Sequence, residues 1–281
     1  AGMSWFDAIG HAFAALSTGG FSTHDGSFAF FDSAALDLIA TVFMFLGGAS
    51  FALHFLVLRS RNPRLYWRDT EFHAYCWLVA VLVSGAALYL WLAGTFDSFG
   101  TSLRHAAFQV VSVQTSTGFL TTGFVDWPGP LPTFMMLLTL VCACAGSTSG
   151  GMKVIRWLIS FRQGVSELKR LVHPSAEIPV KLGGRAVPVA IVGGVAGFFA
   201  MYFIVFAALM FLLMLFGLDQ ITAWSAIAAC LNNVGPGLGE VAWHYRDLPE
   251  SAKWICAIAM MVGRVEIFTF VLLLTPAFWE R

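Results

Sequence analysis

Ser112-Val113-Gln114-Thr115-Ser116-Thr117-Gly118-Phe119 closes a moderately apolar stretch, residues 99–113, and turns the chain with small polar residues and a glycine. At ~1.5 Å per residue that stretch reaches about 22 Å as a helix, short of a ~30 Å hydrocarbon core. The pattern recurs when two other segments are aligned on one glycine. Residues 5–16 lead into Ala14-Ala15-Leu16-Ser17-Thr18-Gly19-Gly20-Phe21, and residues 220–231 into Ala229-Cys230-Leu231-Asn232-Asn233-Val234-Gly235-Pro236. Two small polar residues stand three and two places before the aligned glycine in every copy. Short helix, polar turn and return to the same side describe a re-entrant loop. Such backbone is tolerated at membrane depth only when it is buried in protein or lines a watery cavity. One such turn alone reads as an ordinary surface turn; three aligned copies argue for a repeat.

The rest of the chain is membrane-like. Of 281 residues, 58% are hydrophobic and 11% charged, against about 25% charged in a soluble domain. The mean hydropathy is +0.76, so lipid must cover part of the surface. The formal net charge is zero, which offers nucleic acid no bulk attraction. The five cysteines, Cys76, Cys142, Cys144, Cys230 and Cys256, lie in apolar stretches with no CxxC pair. They read as inert buried thiols rather than metal or redox groups.

Five apolar stretches are long enough to cross a bilayer, roughly 36–58, 74–96, 131–160, 187–217 and 252–275. Basic connections, 59–71 and 153–185, alternate with connections poor in Lys and Arg, 1–35, 97–130 and 218–253. Positive charge marks the cytoplasmic side. The reading is five crossings with the C-terminus cytoplasmic, and all three glycine turns lie on the outer side. The expected fold is an all-α polytopic membrane protein of helix–pore loop–helix repeats in pseudo-fourfold arrangement. Its expected parts are 1–60 (loop and following helix of a second repeat), 61–165 (third repeat), 166–186 (cytoplasmic connection) and 187–281 (fourth repeat). The chain starts in mid-pattern without an initiating Met. It therefore reads as a piece whose N-terminal part holds the first repeat and the opening helix of the second.

The chemistry follows from the glycines. A cation that sheds water needs oxygens in its place, and backbone carbonyls supply them where the chain is crowded near an axis and a Cβ would clash. The short helices aim their partially negative C-terminal ends at the same place. The residues assigned to a cation path are Ser17, Thr18, Gly19 and Gly20; Thr115, Ser116, Thr117 and Gly118; and Asn232, Asn233, Val234 and Gly235.

The third span is interrupted by Gly146-Ser147-Thr148-Ser149-Gly150-Gly151. Three Gly and three hydroxyl residues continue a helix poorly. A broken helix in mid-membrane must face a cavity, so these residues read as a flexible plug below the turns. The competing reading is a helix-packing site, since Gly146-x-x-x-Gly150 is a small-xxx-small pattern. Lys153 ends the segment and serves either as a cytoplasmic anchor or in gating. Arg264 lies about twelve residues into the last span, a depth that is costly unless it faces the pore or a partner. It reads as a contact to the plug's carbonyls or an electrostatic barrier, with a structural ion pair as the alternative. Glu266, two residues on, points elsewhere on the helix.

These turns, together with Gly146-Ser147-Thr148-Ser149-Gly150-Gly151-Met152-Lys153 and Gly263-Arg264-Val265-Glu266, resemble the TrkH/KtrB superfamily of potassium-translocating subunits, more the TrkH branch. The resemblance covers essentially the whole chain. It implies that Gly20, Gly118 and Gly235 match three of four filter glycines and that the 146–153 run is an intramembrane gate loop. It implies potassium as transported ligand at the filter residues only, with no cofactor in the chain itself. It also implies a homodimer on a cytosolic nucleotide-binding RCK ring of the TrkA/KtrA kind, and potassium uptake across the bacterial cytoplasmic (inner) membrane.

Other candidates are weaker. His54 reads as a packing histidine, and His11 and His105 as ties from short helices to their neighbours. Asp37 suits the start of its helix. Asp25, Asp126 and Glu240 could draw cations to the mouth. Two alternatives stand beside the leading reading. One is a less selective sodium/potassium transporter. The other is an intramembrane serine hydrolase using Ser147 or Ser149 with His54 as base, which leaves the loop repeat unexplained.

Overall fold

The computed structural model describes residues 2–280. Helix α1 (Trp5–Leu16) runs into the first glycine turn, followed by α2 (Ala34–Gly47) and α3 (Phe51–Ser60). The short α4 (Arg64–Arg68) leads to α5 (Thr70–Leu92). Then come α6 (Phe99–Gln114), the second turn, and α7 (Leu131–Leu138). An irregular stretch, 139–153, precedes α8 (Val154–Val172). A two-stranded hairpin, β1 (Lys181–Leu182) and β2 (Arg185–Ala186), joins α8 to α9 (Val189–Leu215). The chain continues with α10 (Gln220–Leu231), the third turn, α11 (Glu250–Val265), α12 (Ile267–Leu273) and α13 (Pro276–Trp279).

Helices α5 and α9 have 23 and 27 residues, and each contains a strongly apolar 18-residue stretch. At ~1.5 Å per residue both exceed the ~30 Å core. Their outer faces carry large apolar side chains such as Trp77, Val81, Ile204 and Phe211, exposed as lipid-facing residues should be. The short helices α6 and α10 are the opposite. Nearly every residue in the second half of α6 and in α10 is buried, because other helices wrap them on all sides. Helix α6 packs against α5 and α2, and α10 against α9 and α11. The result is a fold of short central helices held within a shell of longer ones.

Of the five expected apolar spans, two are the single helices α5 and α9, two are bent helix pairs, and the third is interrupted rather than a continuous crossing helix. The first breaks between α2 and α3 with a 93° bend. Gly48 sits at the break, where a Cβ would lie 2.5 Å from the Tyr75 hydroxyl and 2.8 Å from Thr115 Cγ2. Only glycine fits that approach to α5 and the second turn. The last span breaks between α11 and α12 with a 106° bend, at Glu266, whose φ is +67°. In the third, the apolar run continues to residue 145 but α7 stops at Leu138. Beyond it the backbone pairs across the interruption instead of along a helix: Cys142 N–H donates to Met152 O (2.9 Å) and Val154 N–H to Ala143 O (3.1 Å). The first and third breaks also satisfy one another. Cys144 N–H donates to Gly48 O (2.9 Å) and Phe51 N–H to Gly146 O (3.0 Å). Backbone groups freed at membrane depth thus find partners within the protein.

Candidate ion-conduction site

The three short helices end in the same way. Each closes with a Schellman motif, in which an N–H just beyond the helix reaches back five residues and the one before it reaches back three. Gly19 N–H donates to Ala14 O, Thr117 N–H to Ser112 O and Val234 N–H to Ala229 O, all at 2.8 Å. Thr18 N–H donates to Ala15 O (3.3 Å), Ser116 N–H to Val113 O (3.0 Å) and Asn233 N–H to Cys230 O (3.1 Å). The motif requires a left-handed residue after the cap. Thr18, Ser116 and Asn233 occupy that place at φ of +51°, +54° and +56°. Asparagine tolerates this backbone, whereas β-branched threonine does so at a cost of roughly 1–2 kcal/mol. The aligned glycines follow at φ of +68°, +83° and +101° for Gly20, Gly118 and Gly235. The two-residue polar signature in the sequence is therefore a backbone signature: cap, then left-handed residue, then, one residue further on, glycine.

The turns meet at one place. A Cβ on Gly20 would collide with the carbonyl oxygen of Thr117, and one on Gly118 with the carbonyl oxygen of Val234. First turn thus abuts second, and second abuts third, through backbone alone. A Cβ on Gly235 would meet nothing within 4 Å. Three helix C-termini, each carrying about half a negative charge, converge there, and the carbonyl oxygens at the contacts belong to residues without acidic side chains.

Beneath these ends lies the loop Gly146–Gly151. Thr148 Oγ1 bonds Thr18 Oγ1 (3.0 Å) and donates toward Leu16 O (3.2 Å) at the end of α1. Gly150 N–H donates to Ser116 Oγ (2.6 Å) at the end of α6. A Cβ on Gly150 would lie 2.6 Å from Asn232 O, at the end of α10. One loop therefore touches all three helix termini. Asn232 is itself fixed by Tyr202, whose hydroxyl donates to its Oδ1 (3.0 Å), and by its own Nδ2 donating to Ala228 O (2.8 Å).

Charged groups surround the loop. The Lys153 ammonium donates to the Ser149 carbonyl and to Ser149 Oγ (3.0 Å), and lies 3.4 Å from Ser147 Oγ. Arg264 donates from Nη1 to Thr148 O at 2.9 Å. Glu266 faces away from that contact and pairs with Arg156 on α8 at 2.8 Å. The Arg156 guanidinium also lies 3.8 Å over the Phe198 ring. With its amide oriented to satisfy both atoms, Asn233 donates to Met260 O and accepts from Arg264 N–H, each at 3.3 Å. A cavity of about 370 Å³ opens beside the loop, lined by Gly146–Gly151, Lys153, Gly263, Arg264 and Glu266.

The structure thus brings the three turns, the 146–151 loop, Lys153 and Arg264 to one region. Glu266 lines the same cavity but pairs with Arg156, tying α11–α12 to α8. Asp37 does more than begin its helix. It is buried and pairs with Arg104 Nε on α6 at 2.6 Å. His11 reaches Ser22 Oγ (2.9 Å) and His105 reaches Thr121 Oγ1 (3.1 Å), each tying a short helix to its own returning segment. Asp25, Asp126 and Glu240 are exposed in the connections that follow the glycine turns. His54 contacts the Tyr66 hydroxyl (2.6 Å) and Leu46 O (2.9 Å), and neither ring nitrogen bonds Ser147 or Ser149. The hydrolase arrangement is thus not formed. All five cysteines are free. Three contributors escaped the sequence reading: Tyr202 and Thr139, both in contact with Asn232, and Glu71, which touches both ends of the loop. The only sequence signal for Glu71 is a lone acid in the first turn of a span.

The TrkH family, described as cation transport protein, matches residues 1–281. The Trk system potassium uptake protein TrkH of Halomonas elongata is 47% identical over the whole chain, and that of Escherichia coli 44%. The chain spans 58% of the length of each. The crystal structure of the potassium transporter TrkH from Vibrio parahaemolyticus superposes with a TM-score of 0.95 at 47% identity, over 99% of this chain and 60% of that one. Matched along its full length in sequence and almost all of it in fold, the chain belongs to the TrkH family of cation transport proteins.

Proposed function

We propose that the chain supplies three sides of a potassium-selective filter and the gate beneath it, for potassium uptake across a bacterial cytoplasmic membrane. The observation that carries this reading is the contact of Gly20 with the Thr117 carbonyl and of Gly118 with the Val234 carbonyl. Three glycine turns in backbone contact at the negative ends of three short helices form an oxygen-rich constriction suited to a dehydrated monovalent cation. Gly235 offers its free side to a fourth turn from elsewhere in the protein. On this reading residues 1–60, 61–165 and 187–281 are the second, third and fourth repeats, joined by 166–186.

The Gly146–Gly151 loop blocks the path below the filter, with Lys153 and Arg264 holding it. Its hydrogen bonds to the ends of α1 and α6 and its close approach to the end of α10 support this, as does its glycine content, which allows movement. The connections rich in Lys and Arg lie in the cytoplasm, and the C-terminus with them. Helix α8 and the β1–β2 hairpin form the surface toward an RCK-type regulatory ring, and the full protein acts as a homodimer. The relatives' names place them in a Trk system, which agrees with a multi-component assembly. No residue acts as a catalyst and the transported ion is the only ligand required.

The test is cation influx into liposomes bearing the full-length protein. Rubidium influx is expected to be blocked by external potassium and little affected by equal sodium. Equal competition by sodium would replace potassium selectivity with general cation transport, and absence of influx in every condition would refute the conduction reading.

A further inference from the structure

Glu71 stands in the first turn of α5 and belongs to none of the groups assigned above. Its Oε1 accepts from the N–H of Ala145 at 2.7 Å and from the N–H of Ile155 at 3.1 Å. Ala145 immediately precedes Gly146, and Ile155 follows Lys153 by two residues. One oxygen on a neighbouring helix therefore draws together both feet of the loop.

The need for it is local. Helix α8 has Lys153 at its N-cap, with no side-chain cap bond. The Lys153 ammonium turns back into the loop instead, toward Ser149. A helix N-terminus leaves N–H groups unpaired and carries partial positive charge, which a carboxylate satisfies. Glu71 provides that cap from another helix. It also completes a neck otherwise closed by the Cys142–Met152 and Val154–Ala143 bonds. Helix α5 begins where the basic 59–71 connection ends, and Asp69 caps it by accepting from Phe72 N–H at 2.7 Å. Glu71 therefore stands within the capped first turn of α5, and it bears directly on the loop.

We infer that Glu71 is a positioning residue that holds the neck of the 146–153 loop in its blocking place and couples that loop to the start of α5. The inference rests on the reading of the loop as a gate. Displacement of α5's first turn moves both feet of the loop together, so the cytoplasmic connection before α5 has a direct mechanical route to the gate. The filter turns make no bond to Glu71, so selectivity is untouched.

The experiment uses the full-length protein and two independent readouts. Amide exchange is measured for peptides covering 141–156, and unstimulated rubidium influx and its competition by potassium and sodium are measured in liposomes. Glu71→Leu removes the acceptor. Exchange across 141–156 is expected to rise about tenfold or more, the scale of one lost bond to a charged group. Basal influx rises with it, and the potassium-to-sodium preference stays unchanged. Glu71→Gln retains the acceptor oxygen without the charge and is expected to restore most of the protection. Should Glu71→Leu fail to assemble, Glu71→Asp draws the carboxylate back by one C–C bond, about 1.5 Å. It can then no longer reach both N–H groups, and the same increases are expected. Unchanged exchange in both disruptive variants overturns the inference. Faster exchange with unchanged influx overturns the gate reading, and the coupling falls with it, while the clamp itself stands.

Discussion

Gly118→Ala puts one methyl group where the structure has a neighbouring turn's backbone. The new Cβ would overlap the Val234 carbonyl oxygen, and it would lie 3.3 Å from Val234 C and 3.4 Å from Pro236 Cδ. No rotamer change can relieve this, because the obstructing atoms are backbone and a proline ring. Two costs add. A φ of +83° is unfavourable for alanine by roughly 1–2 kcal/mol. Displacing packed neighbours costs roughly 1–3 kcal/mol more. The sum, about 2–5 kcal/mol, is relieved most directly by tilting the Val234 carbonyl away, and that oxygen is assigned to the ion path. If about 2 kcal/mol of the coordination that favours potassium is lost, preference over sodium falls about thirtyfold. The control is Gly164→Ala in the exposed middle of α8. A Cβ there meets nothing within 4 Å, and alanine should stabilise the helix by roughly 0.5–1 kcal/mol. Competition of rubidium influx by potassium and sodium, with thermal unfolding in parallel, reads both variants. Wild-type selectivity and stability in Gly118→Ala would show that the turns do not meet as described.

Arg264→Ala removes a charge-assisted bond to the loop worth roughly 1.5–3 kcal/mol. It should raise unstimulated influx about tenfold or more, and unchanged influx would remove Arg264 from the closed state. Arg104→Gln leaves the buried Asp37 carboxylate without its cation and should cost roughly 3 kcal/mol of stability. The double variant with Asp37→Asn recovers most of it, and additive losses in thermal unfolding would argue against a pair. Asp219 caps α10 by accepting from Ile221 and Thr222 N–H, and its bond with Thr222 foremost holds its carboxyl below the usual value. A lowered folded value means the contribution is present above the unfolded carboxyl range, near pH 4, and is lost as pH falls through the folded value. Asp219→Ala should therefore cost about 1 kcal/mol at pH 7, shrinking as the pH is taken below 4, while a difference that grew with acidification would contradict the capping role.

The three turns were legible because their chemistry restricts residue type. Backbone contact admits only glycine at Gly20 and Gly118, and the cap before it favours small polar side chains, so the constraint is written in composition. The need of Arg264 for a partner was legible from depth alone, since a guanidinium in mid-span must find one. The left-handed backbone of Thr18 was not legible, because threonine argues against it and only the packed surroundings enforce it. The bend at Gly48 was hidden because hydropathy runs through it unbroken, and the bend at Glu266 because charges in a span read as groups seeking partners rather than as a break; lipid exposure sets hydropathy, whereas packing sets the helix axis. The early end of α7 was hidden for the same reason. Glu71 and Asp37 were hidden because an acid at the edge of a span reads as a boundary marker. Their partners, Ala145 with Ile155 and Arg104, are 67 or more residues away in sequence and meet them only in the fold.

The claim on which the account stands is that the carbonyl oxygens at the three glycine turns jointly bind the transported ion. Crystals of the full-length protein grown with rubidium, examined by anomalous scattering, address it directly. The account predicts a peak between the turns of Gly20, Gly118 and Gly235, within coordination distance of the Thr117 and Val234 carbonyl oxygens and above the 146–151 loop. An ordered rubidium site elsewhere in the path, with none between these turns, would contradict it.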